Sequence, residues 1–189
     1  MEPKTKIMKK QIIFFDGDGT LWYPHATKRT KKPFWLYEDE QLKDRYLEHL
    51  ILTPQALETL SILREKGMKT VILSTHPDDL EDSALVLDEK VRHFQLSELF
   101  DEIYATAEYP EAKGEKILEI IKRLGLSKDD ALMVGDSYRW DYSSAQLQGI
   151  DAVLINSDYH QEKLEKEPAV IVIDDLNELL PLLGFSELS

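Results

Sequence analysis

Two aspartates, Asp16 and Asp18, stand in the run Asp16-Gly17-Asp18-Gly19-Thr20, directly after the apolar stretch Ile12-Ile13-Phe14-Phe15. Three further groups follow other apolar runs. Ser74 and Thr75 close Thr70–Leu73, Gly135-Asp136 closes Ala131–Val134 with Asp141 five positions on, and Lys113 opens a helical stretch. Brought to one crevice, these would crowd carboxylates together, which is costly unless a cation neutralises them, so Asp16 and Asp136 predict a bound divalent ion. With oxygen ligands and no cysteine in the chain, Mg²⁺ is favoured over zinc. A carboxylate can attack phosphorus and split one displacement into two. A second carboxylate can protonate the leaving oxygen and later deprotonate water. An ammonium and a metal ion would together stabilise charge on the transferred group.

Such convergence needs a scaffold that sets strand ends side by side. Six short, nearly continuous apolar runs read as strands buried on both faces: Gln11–Phe15, Thr70–Leu73, Ile103–Ala105, Ala131–Val134, Ala152–Ile155 and Val170–Ile173. Helical spacing lies between them. Leu57, Leu60, Ile62 and Leu63 end at Gly67; Ile117, Leu118, Ile120, Ile121 and Leu124 end at Gly125; Leu176, Leu179, Leu180 and Leu183 end at Gly184. Alternation of this kind implies an α/β fold with a doubly wound (Rossmann-like) parallel sheet of about five to six strands. Ligands of such sheets bind beyond the carboxyl ends of the strands, where the acidic groups fall. Residues 1–189 are expected to form a single domain. The segment 22–52 breaks the rhythm as a small insert or flap after the first strand. It carries Trp22, the basic residues Lys28, Arg29, Lys31 and Lys32, the pair Phe34-Trp35, and a polar stretch, Glu38 to Leu50, that reads as a helix.

Composition bounds the partners. A formal charge of −13 repels a phosphate backbone, so neither nucleic acid nor an anionic membrane is an expected partner. The apolar run after the basic N-terminus is cut short by Asp16, too early for a secretory or membrane segment, and the cytoplasm is the expected location. The absence of cysteine excludes disulfides and thiolate catalysis. The five histidines show no ligand spacing and read as surface residues; His76 alone follows the Ser74-Thr75 pair closely enough to face a substrate. Ser74 and Thr75 could equally cap a helix beginning near Pro77.

The ordered set resembles the haloacid dehalogenase superfamily: an Asp-x-Asp-Gly-Thr loop, a strand-end Ser/Thr, a Lys and a Gly-Asp-x4-Asp loop, spanning about residues 10–156. The resemblance implies the sheet order 5-4-1-2-3. It implies Asp16 as nucleophile and metal ligand, and Asp18 as acid/base lending its backbone carbonyl to Mg²⁺. It further implies Ser74 on the phosphoryl oxygens with Thr75 beside it, Lys113 bridging them to Asp16, Asp136 as metal ligand and Asp141 in support. Thr20-Leu21-Trp22-Tyr23-Pro24 and Tyr109-Pro110-Glu111-Ala112-Lys113 are similar to stretches of the capless, magnesium-dependent phosphatase group. Gly17 departs from the bulky residue usual between the aspartates and suggests a wider pocket; Thr75 stands where that group tends to place arginine.

The expected activity is hydrolysis of a small phosphomonoester through an aspartyl-phosphate. A phosphotransferase or phosphomutase would need a larger cap to exclude water. Halide departure needs no acid such as Asp18. A signalling receiver domain would carry its phospho-acceptor on the third strand, and a non-catalytic binding protein would not need every catalytic position filled. Trp22, Lys28, Arg29, Lys31, Lys32 and His76 are the candidates for contact with an anionic substrate.

Overall fold

The computed structural model describes residues 7, 10–76, 80–164 and 169–185. Six strands form one sheet: β1 (Ile12–Phe15), β4 (Lys69–Thr75), β5 (Glu102–Thr106), β6 (Ala131–Gly135), β7 (Asp151–Ile155) and β8 (Ile171–Ile173). Their order is β5-β4-β1-β6-β7-β8 and every neighbouring pair is parallel. Among these six, the order is the expected 5-4-1-2-3 extended by the sixth strand at the outer edge.

The pleat explains the two-sided burial. Ile13 and Phe15 of β1 join one apolar cluster with Leu60, Leu63, Ile72, Leu132 and Val134. Ile12 and Phe14 join the other, with Val71, Leu73, Met133, Ile117, Ile120 and Ile121. Alternate residues thus feed opposite faces, as a central strand covered on both sides requires. Helices α2 (Ala56–Glu65) and α3 (Leu80–His93) supply the first cluster and α4 (Ala112–Arg123) the second. The Pro77 position proposed as a helix start lies outside the described residues; helical geometry is described from Leu80.

Segment 22–52 differs from expectation. Its ends pair as a two-stranded antiparallel sheet, β2 (Trp22–Pro24) with β3 (Leu50–Leu52), Trp22 opposite Leu52. The helix read over Glu38–Leu50 is not continuous: a single helical turn, α1 (Trp35–Glu38), is followed by a 3₁₀ stretch over Lys43–His49. Local hydrogen bonding explains the break. The Asp39 carboxylate accepts the Gln41 N–H at 2.9 Å, and Arg45 leaves helical geometry at φ −133°. The stretch read as a helix over Leu176–Leu183 likewise opens with a 3₁₀ turn, Leu176–Glu178, before a short helix over Leu179–Leu182 that contains Pro181. Among the described residues no helix is long and apolar enough to cross a membrane.

Candidate active site

Asp16 leaves the C-terminal end of β1, its N–H still donating to the Val134 carbonyl at 2.9 Å. The next residues form a tight loop. The Gly17 carbonyl accepts the Leu21 N–H at 2.8 Å, and the Gly19 N–H donates to the Trp22 carbonyl at 2.7 Å. Gly19 takes φ +90°, and a Cβ there would strike the Asp136 carboxylate, so only glycine lets the loop approach β6 so closely. Gly17 serves space in a different way. A Cβ would lie 2.7 Å from the Trp22 indole and 2.8 Å from the Ser74 hydroxyl. The room left by the missing side chain is therefore filled by Trp22 and Ser74, and the expected widening of the pocket does not occur.

Lys113 reaches the same point from α4, where it shares the inward face with Ile117, Ile120 and Ile121. Its ammonium lies 2.5 Å from Asp16 Oδ1 and 2.5 Å from Asp141 Oδ1, and all three side chains are buried. Asp141 sits in a π-helical turn, Tyr138–Ser143, after β6, where its other oxygen accepts the Ser137 N–H at 2.8 Å. Burial alone would lower the Lys113 pKa, but Asp141 and Asp16 outweigh it and the ammonium is held charged. Burial pushes the Asp16 carboxyl up to about 7; Lys113 opposes that rise, while Asp141 and Asp18 add to it. Asp136 is raised well above the usual carboxylate range, first by burial and then by Asp16 and Asp141.

Ligand atoms of Asp16, Asp136 and Asp141 lie within 4.8 Å of one another. Three buried carboxylates against a single ammonium make a donor set of hard oxygens with surplus negative charge, which fits Mg²⁺. Asp18, expected as acid/base with its backbone carbonyl on the metal, lines the cavity and has both carboxylate oxygens held by other side chains. Oδ2 accepts from Lys90 Nζ at 2.7 Å, and Oδ1 accepts from the Trp22 indole N–H at 3.1 Å and from the Tyr37 hydroxyl.

A cavity opens over these groups, lined by Asp16, Asp18, Asp136 and Lys113 and walled by Lys32, Phe34, Glu108, Trp140 and Tyr159, among others. The remaining expected residues divide. Thr75 lines the cavity and its hydroxyl pairs with that of Thr106 at 2.8 Å. Ser74 instead lines a smaller recess behind the loop, with His76 and Lys90. Trp22 is buried and stacks on Phe94 with ring centroids 5.8 Å apart. Of the basic group only Lys32 reaches the cavity wall. Arg29 donates to the Gly19 carbonyl at 2.8 Å and to Thr53 Oγ1 at 3.0 Å, and so ties the insert to the loop. Lys28 is exposed, and the Lys31 ammonium lies 5.4 Å from the centroid of the Trp35 ring. His160, read as a surface residue, is buried, with Nδ1 meeting the Asp136 carbonyl oxygen at 2.9 Å; His76, read as a candidate to face a substrate, is buried against the Tyr37 ring.

Lys90, Tyr37 and Tyr159 were not found by spacing. Tyr159 hydrogen-bonds Asp136 from the turn after β7. Lys90 left a trace: with Ser83, Leu87 and Val91 it falls on the buried stripe of α3, an unusual place for a lysine.

Residues 23–155 match the haloacid dehalogenase-like hydrolase family. The chain belongs to that family. The loop bearing Asp16 and Asp18 precedes the matched span, so the hydrolase match and the loop geometry are separate observations. A protein of Caldanaerobacter subterraneus described as a candidate pyrophosphatase, PpaX, is 28% identical over 188 residues, covering 94% of this chain and 80% of the relative. Phosphoglycolate phosphatase 1 of Pseudomonas aeruginosa is 30% identical over 131 residues, covering 68% of this chain, which spans about half of that hydrolase (46%). A crystal structure of a phosphatase of the same superfamily from Thermococcus onnurineus superposes with a TM-score of 0.66 at 22% identity, covering 94% of this chain and 100% of the other, a likeness of fold.

Proposed function

We propose that this hydrolase is a Mg²⁺-dependent phosphatase acting on a small phosphomonoester through an aspartyl-phosphate on Asp16. The observation that carries the reading is the Lys113 ammonium 2.5 Å from both Asp16 and Asp141, at the C-terminal ends of adjacent strands β1 and β6, with Asp18 and Asp136 on the same cavity wall. Relatives named as phosphatases support the same reaction class.

A magnesium ion held by Asp16 and Asp136, with the Asp18 carbonyl, would neutralise the crowded carboxylates and draw charge from the phosphoryl oxygens. Within this reading the chain's own groups have these roles. A carboxylate oxygen of Asp16 attacks phosphorus, and the bond from phosphorus to the ester oxygen breaks. Asp18, a carboxylate accepting from Lys90, Trp22 and Tyr37, takes up a proton as the ester monoanion binds and gives it to that oxygen. The resulting Asp18 carboxylate takes a proton from water, the hydroxide attacks phosphorus, and the acyl-phosphate bond breaks to return Asp16. Lys113, held by Asp141, stays charged and stabilises the equatorial oxygens. Thr75 offers a hydroxyl on the cavity wall, and the Ser74 hydroxyl lies against the loop at Gly17. Segment 22–52 supplies Lys32 and Phe34 to the wall, which supports its reading as a flap within one domain.

Turnover of p-nitrophenyl phosphate with Mg²⁺, and its loss in EDTA, is the expected result. Asp16→Asn should lower kcat by at least about 10³, the scale of removing an essential nucleophile. Near wild-type turnover by that variant would refute Asp16 as the attacking group.

A further inference from the structure

Asp18 is held by more than a loop requires. Its carboxylate is buried, and three side chains from three elements converge on it: Trp22 from β2, Tyr37 from α1 and Lys90 from α3. Lys90 is the most unusual of them. It is 1% exposed, lies 72 positions away in sequence, and has Asp18 Oδ2 at 2.7 Å. Its ammonium also lies 4.3 Å from the centroid of the Tyr37 ring and 5.6 Å from that of Tyr46. The two tyrosines pack edge to face at 5.4 Å and cover the pair from the side of the insert. Tyr46 is anchored in turn by a hydrogen bond to Glu89, the neighbour of Lys90 on α3.

A buried ion pair is a poor way to gain stability, because desolvation of both charges offsets most of their attraction; its best-attested use is to fix one geometry. Here the geometry fixed is that of Asp18. Asp18 lines the main cavity, whereas Lys90 lines the smaller recess and not the main cavity. Lys90 therefore acts on a reaction only through Asp18.

We infer that Lys90 and Tyr37 are positioning residues that hold Asp18 in one orientation for proton transfer with the leaving group. The inference rests on the phosphatase reading above and adds to it the residues that orient its acid. It also gives the insert a role inside the site: through Tyr37 it completes the hold on Asp18 as well as walling the cavity.

Leaving-group dependence separates this role from a general loss of structure. The p-nitrophenolate of p-nitrophenyl phosphate departs with little help from an acid; the alkoxide of 2-glycerol phosphate needs a proton. Lys90→Met should lower kcat for 2-glycerol phosphate at least about tenfold more than for p-nitrophenyl phosphate, within the range that a positioned acid supplies. KM for each ester should change much less than kcat for the glycerol ester. In an Asp18→Asn background, adding Lys90→Met should leave the ratio of the two rates where Asp18→Asn had put it. Equal losses for the two esters, or a bias that Lys90→Met still adds when Asp18 is already asparagine, overturns the inference. Should Lys90→Met not fold, Tyr37→Phe, which removes one hydroxyl, decides: a bias of about threefold or more in the same sense supports the hold, and none overturns it. Wild-type turnover of neither ester sinks the phosphatase reading and this inference with it. Wild-type turnover without the bias removes the inference alone.

Discussion

At the scale of single residues, the charges of this site come in two sets that the sequence does not separate. Lys113 serves Asp16 and Asp141; Lys90 serves Asp18. Asp16, Asp18 and Asp136 are legible as a motif because they follow buried strands at fixed spacing. Lys90 is not, because a lysine within a helix reads as solvated unless the apolar stripe around it is traced. The second pairing has a consequence for stability that is separate from any activity. Asp18→Asn leaves an ammonium buried without its counter-charge, and breaking a buried pair from one side costs about 3–5 kcal/mol. Removing both charges abolishes that penalty. We expect urea unfolding to show Asp18→Asn destabilised by about 3 kcal/mol, and the double variant Asp18→Asn/Lys90→Met to recover most of the loss. A single variant as stable as wild type would mean that the ammonium finds another counter-charge or reaches solvent.

At the scale of elements, the strands were legible because parallel central strands must be apolar on both faces, and IIFF and ALMVG are. The interior of the insert was not, because short polar residues such as Asp39 can satisfy the backbone locally and end a helix that periodicity alone would continue. The basic cluster illustrates the same limit. Charge predicted a group of four; packing assigns each a different surrounding. Lys32 faces the cavity, Lys31 lies over Trp35, Lys28 is exposed, and Arg29 is spent on the Gly19 carbonyl and Thr53. If segment 22–52 lends its charge to substrate binding, Lys32→Ala should raise KM for a phosphoester carrying a second anionic group by about two- to fivefold, the scale of one partly screened ion contact. Lys28→Ala and Lys31→Ala should leave it within error. Arg29→Ala should instead lower the unfolding free energy by about 1–3 kcal/mol, since it strips hydrogen bonds from partly buried acceptors. Steady-state kinetics with the four single variants, beside their urea melts, checks the division; a KM effect spread evenly over all four would refute it.

At the scale of the whole molecule, a chain of net charge −13 gathers the buried carboxylates of its described residues, Asp16, Asp18, Asp136 and Asp141, at one end of its sheet. The parallel sheet was legible from the alternation of elements, and its order from the family resemblance alone. The electrostatic state of the site was not, since it depends on burial that only the assembled fold creates. That state couples the site to global stability. Burial lifts Asp16 from 3.8 to about 7 and lifts Asp136 in the same direction. A carboxyl whose folded pKa lies above its unfolded value favours the folded state most below the unfolded pKa, and that contribution is lost as pH rises through the folded one. For Asp16 the window runs from about pH 4 to about pH 7. Metal-free protein should therefore lose stability across this range as the cluster is forced to ionise. A divalent cation acts in the opposite sense, because it binds the ionised carboxylates of the folded chain and so stabilises that state by mass action. Thermal melts in EDTA should show Tm falling between pH 5 and pH 8, with a shallower fall in Asp16→Asn, which lacks the titrating group. Saturating Mg²⁺ should raise the wild-type Tm more at pH 8 than at pH 5. A Mg²⁺ shift of equal size at both pH values would separate metal binding from the ionisation of these carboxylates, and the charge balance proposed for Asp16, Asp136 and Lys113 would not hold.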